Sequence, residues 1–80
     1  MPMRPEGKTE LEALRQMVLA WKQDYLQWAG TTAASDFRHE IEEVVYPYLR
    51  RLYDCQFIDD CAFREFMSFC DEQVRELTNP

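Results

Sequence analysis

The chain has 80 residues, with 15 Asp and Glu against 9 Lys and Arg and a formal charge of -6. So short a chain holds one domain with one modest core, which excludes two-lobed enzymes and multi-domain nucleotide machines. No apolar run nears the roughly 20 residues that span a bilayer. Residues 1–8 carry no apolar segment of secretory type, so the expectation is a soluble, cytoplasmic protein. Three cysteines, an odd number, argue against a closed disulfide framework. A composition 46% hydrophobic and 14% aromatic is too apolar for a disordered acidic tail.

Residues 1–8 read as a flexible, disordered tail, and 9–80 as a single helical domain. Thr9-Glu10-Leu11-Glu12 has the form of a capping box, in which the Thr9 hydroxyl accepts an amide proton and Glu12 reaches back. Leu11, Leu14, Val18, Trp21, Tyr25 and Trp28 then recur in steps of three and four, the spacing of a buried helical stripe. This predicts a helix over 10–29, stopped by Gly30 in a left-handed conformation. Ser35 or Asp36 can cap a second helix, 36–54, whose stripe is Phe37, Ile41, Val44, Val45, Tyr48 and Leu52. Pro47 lies within it, removes a hydrogen bond to the Glu43 carbonyl, and predicts a kink. Asp59 or Asp60 caps the third helix, with Ile58 and Phe63 as a hydrophobic staple. Its buried face is Phe63, Phe66, Met67, Cys70, Val74 and Leu77. Breaks of about five residues let successive helices lie antiparallel. The expected fold is all-α, an up-down-up three-helix bundle.

Catalytic and metal chemistry find little support in the spacing. Cys55, Cys61 and Cys70 match no usual zinc pattern, and nine residues separate the last two by half a turn of helix. His39, the lone histidine, is expected on the surface, about 22 Å along the bundle from Cys61. His39-Glu40-Ile41-Glu42-Glu43 lacks the second histidine of a zinc-protease helix. There is no glycine-rich phosphate loop, and so small a bundle is not expected to hold a deep cleft. The expectation is therefore no enzymatic activity and no cofactor. The second and third helices resemble a helix-turn-helix in outline, but the outward face of the third is net negative and would be repelled by phosphates.

What remains are groups a three-helix core does not need. Leu19 and Leu26, with Lys22 between them, form a second line on the first helix, roughly 100–120° from its main stripe. Phe69 lies off the core direction of the third helix. Tyr46, Arg50 and Tyr53 occupy the face of the second helix opposite its stripe. Tyrosine and arginine combine apolar area with a polar handle, which suits interfaces. These seven residues predict a protein–protein surface, in its simplest form a homodimer. Glu40, Glu42, Glu43, Asp54, Asp59 and Asp60 form an expected acidic patch, which would speed encounter with a basic partner. That alternative is an inhibitor, immunity protein or phage-type antagonist of a basic nucleic-acid-binding protein. A third reading is a thiol-based redox or metal-binding protein using Cys55 and Cys61. Neither direct nucleic-acid binding nor membrane contact is expected.

Overall fold

The computed structural model describes residues 5–27 and 30–78. Four α-helices make three rods. The first is α1 (Pro5–Gln27). The second is α2 (Ala33–Glu40), continued through a π turn (Ile41–Val45) into α3 (Tyr46–Asp54). The third is α4 (Asp60–Thr78), and no strand occurs among the described residues.

Helix α1 starts five residues earlier than the capping box suggests. The expected tail is helical from Pro5, and residues 1–4 lie outside the described residues, as does Trp28. Proline suits a helix start, because its missing N–H would be unpaired there anyway. The added turn is held by Gly7, which is buried against the backbone of Phe57 and the side chain of Ile58. Gly30 does not take the left-handed conformation expected of a helix stop.

The second rod begins at Ala33, ahead of the expected Ser35 or Asp36. Its first turn is tied by the Asp36 amide donating to the Thr32 carbonyl (2.8 Å) and the Thr32 hydroxyl donating to Asp36 Oδ2 (3.0 Å). Pro47 would press its ring on the Glu43 carbonyl if the α-helix ran straight through. The rod widens just before it instead, with the Tyr46 N–H donating to the Ile41 carbonyl five residues back.

That wider turn changes which residues are buried. The core positions are Phe37, Ile41, Val45, Leu49 and Leu52, whereas Val44 is 45% exposed and Tyr48 40%. Three successive steps of four would drift by about 120° in an unbroken α-helix. The residue taken up by the π turn absorbs this drift, so Leu49 enters the core and the expected Val44 and Tyr48 leave it.

A Schellman motif ends α3. The Gln56 amide donates to the Tyr53 carbonyl (3.0 Å) and the Phe57 amide to the Leu52 carbonyl (2.9 Å). Gln56 takes the left-handed conformation (φ 64°), the only non-glycine to do so among the described residues. Asp59 caps α4, its Oδ1 accepting the Ala62 amide at 2.8 Å. The expected stripe of α4 holds, with Phe66, Cys70 and Val74 buried and Phe63, Met67 and Leu77 packed against the core.

Leu14 and Val18 of α1, the five positions of the second rod, Ile58 and the α4 stripe share one buried cluster. Rising residue number on α1 meets falling number on the second rod: Gly7 meets Phe57, Glu10 meets Tyr48 and Tyr25 meets Glu40. The molecule measures 42 × 19 × 16 Å.

Candidate functional site

Most of the residues expected to face a partner are engaged within the chain. Lys22 reaches across to α4, where its ammonium donates to Gln73 Oε1 (2.9 Å) and pairs with Glu76. Its side chain is only 13% exposed. The Tyr46 hydroxyl donates to Asp71 Oδ1 at 3.3 Å, and burial together with the Asp71 charge pushes its pKa up to about 12. Tyr53 lies against Phe63 with ring centroids 5.0 Å apart. Phe69 sits 5.4 Å from Phe66, and the Arg15 guanidinium covers it at 4.6 Å. These four side chains bind α4 to its neighbours. Arg50 is exposed and pairs with Asp54 at 3.3 Å, one turn on. Leu19 is half-buried, and Leu26 is 46% exposed.

The expected acidic patch is two groups. Glu40, Glu42 and Glu43 stand 11 to 14 residues before Asp54, roughly 16–21 Å along the rod. Several have their own work: Glu40 accepts from the Tyr25 hydroxyl (2.7 Å), Asp59 caps α4, and Asp60 pairs with Arg64 (2.9 Å). His39 is exposed and pairs with Glu43 at 3.1 Å.

The thiols are separated in role. Cys70 is fully buried in the core, and desolvation pushes its pKa up to about 12. Cys61 is exposed and donates to Glu65 Oε1 (3.5 Å). That bond, the Glu65 charge and nearby Asp59 and Asp60 raise its pKa. A thiol held protonated is a poor nucleophile. Among the described residues, no three His, Cys, Asp or Glu side chains stand where one metal ion could join them.

A further apolar surface lies along the seam between α1 and the second rod. Ala13, Leu14 and Met17 on one side and Val44 and Tyr48 on the other line a groove of about 320 Å³, with Glu10 at its edge. The Tyr48 hydroxyl donates to Glu10, which raises the tyrosine's pKa. Toward the Phe57 end the groove continues past Glu6, Arg51, Leu52 and Cys55. Toward the Gly30 end, beyond one more turn of α1, lies a hollow lined by Trp21, Asp24, Tyr25 and Glu40. Glu6, Glu10, Ala13, Met17 and Asp24 fall within about 60° of one another around α1. They form one face, on the opposite flank of that helix from Leu19 and Leu26. The periodicity of α1 alone assigns Met17 no role, because only the outward turn of Val44 and Tyr48 leaves it beside a groove. The signal that could have marked them is Pro47 following the Val44-Val45 pair.

No family model, curated protein or solved structure matches this chain.

Proposed function

We propose that this protein is a non-enzymatic binding module that acts by protein–protein contact. In this reading it is an up-down-up three-helix bundle, bent at the π turn, and the furrow beside that turn receives another protein. The carrying observation is that Val44 and Tyr48, 45% and 40% exposed, sit with Met17 and Ala13 in one apolar groove. Scattered single apolar groups are ordinary on a surface, but a contiguous lined groove marks an interaction site. No described helix is long and apolar enough to cross a membrane. The three free cysteines suit a reducing, cytoplasmic setting.

Photo-cross-linking in the host cell tests the reading. A benzoylphenylalanine in place of Val44 should yield a heavier protein adduct, and the same group in place of exposed Gln23 on the far side of α1 should not. Met17→Glu should suppress the adduct. No adduct from position 44, or equal adducts from both positions, defeats the proposal.

One observation favours a second reading, the homodimer: Leu26 is 46% exposed beside half-buried Leu19. Sedimentation equilibrium at tens of micromolar should then show a dimer that Leu26→Glu converts to monomer. A monomer at the outset removes it.

A further inference from the structure

Resting on the reading above, we infer that the occupant of the furrow is an amphipathic helix of another protein, apolar along its middle and basic at both ends. Both walls of the furrow are helices, whose backbone groups pair along their own rods, with Pro47 bringing no N–H. They offer no edge on which an extended strand could complete its hydrogen bonds. A segment entering this groove must bring its own backbone paired, which an α-helix does.

Length and charge specify the rest. From Glu6 to Asp24 the face of α1 runs 18 residues, about 27 Å, which matches a partner helix of about 18 residues. The middle, from Ala13 to Met17 opposite Val44 and Tyr48, is apolar. The ends are acidic, with Glu6 and Glu10 at one and Asp24 and Glu40 at the other, against Arg51 as the one cation among the described lining residues. Glu10 and Glu40 accept tyrosine hydroxyls, and both remain partly exposed. A second copy is the poorer occupant. Two chains of charge -6 meeting across this face would set carboxylate ends against carboxylate ends. A helix with apolar side chains at i, i+4 and i+7 and Lys or Arg at its ends satisfies both features. It has the chemistry of a segment that otherwise lies on nucleic-acid phosphates.

The test uses the whole isotope-labelled protein and two synthetic peptides of about 18 residues. Both carry the same leucine stripe, one with Lys and Arg ends and the other with Glu ends. The basic peptide should shift backbone amides within 6–24 and 40–55, and its affinity should fall at least about tenfold between low salt and roughly 0.5 M. The double variant Glu6→Lys with Asp24→Lys should weaken it about tenfold, and Val44→Glu should abolish it, with helicity unchanged by circular dichroism. Equal binding of the Glu-ended peptide, indifference to salt, or shifts confined to α4 around Phe69 would each overturn the inference. If the position-44 cross-link forms in cells while the basic peptide fails, the partner chemistry is wrong and the binding role stands. If neither occurs, both are wrong.

Discussion

A Cβ built on Gly7 would stand 1.9 Å from the Phe57 carbonyl oxygen and 3.3 Å from Ile58 Cγ2. The glycine is there for closeness, since its φ is not positive. It lets α1 lie directly on the turn that follows α3. Gly30 is the reverse case, with nothing among the described residues beyond its chain neighbours within 4 Å of its Cβ direction, and no positive φ. Gly7→Ala should therefore lower stability by about 1–3 kcal/mol through overpacking. Gly30→Ala should raise it by about 0.5 kcal/mol through the unfolded chain's lost freedom. Urea unfolding of the two variants checks the pair, and opposite signs are the expected outcome. Gln56 is the complementary oddity, a side chain in the conformation glycine favours, tolerated because two hydrogen bonds close the turn around it.

At the level of the helix, the second rod separates two ways of counting. A straight α-helix would bury Val44, whereas the π turn buries Leu49 in full. Leu49→Ala should cost about 2–5 kcal/mol, as core truncations do. Val44→Ala should change stability by less than about 0.5 kcal/mol, as surface changes do. Thermal unfolding of both variants decides between the registers, and the opposite ranking would mean that the rod runs straight. The stripes of α1 and α4 were legible in the sequence because unbroken α-periodicity repeats faithfully from Leu14 to Tyr25 and from Phe63 to Leu77. The second rod was not, because Val44-Val45 offers two continuations and periodicity cannot choose between them. The proposed docking face was hidden for a different reason. Whether Lys22, Tyr46 or Phe69 is spare depends on which helix lies beside it. Gln73, Asp71 and Arg15 occupy those places, and no single helix's pattern records that.

For the molecule as a whole, protons on tyrosine and thiol groups link the rods to pH. Tyr25 is pushed to about 12, chiefly by its hydrogen bond to Glu40 and then by burial. Tyr46 and buried Cys70 reach about 12 as well, chiefly through desolvation. An unfolded chain releases these protons nearer pH 10 for tyrosine and 8.5 for cysteine. The folded state holds them longer, so their contribution is complete below the unfolded values and declines as pH rises toward 12. The denaturant midpoint should stay level through neutral pH and fall between about pH 9 and 12. Tyr25→Phe and Tyr46→Phe should make that fall shallower, and phenolate absorbance should titrate later than in the denatured chain. A midpoint level up to pH 12, or a slope untouched by both variants, would show that these hydroxyls do not hold the rods as described.

The π turn is, in effect, one residue of slack wound into a rod. Take out Val44 and exchange Pro47 for alanine, and the surviving core residues Phe37, Ile41, Val45, Leu49 and Leu52 fall at spacings of four, three, four and three. That is the cadence of an ordinary α-helical seam. The shortened chain would keep its interior while losing one lip of its furrow, so the surplus residue serves the outside of the molecule and the interior has no need of it.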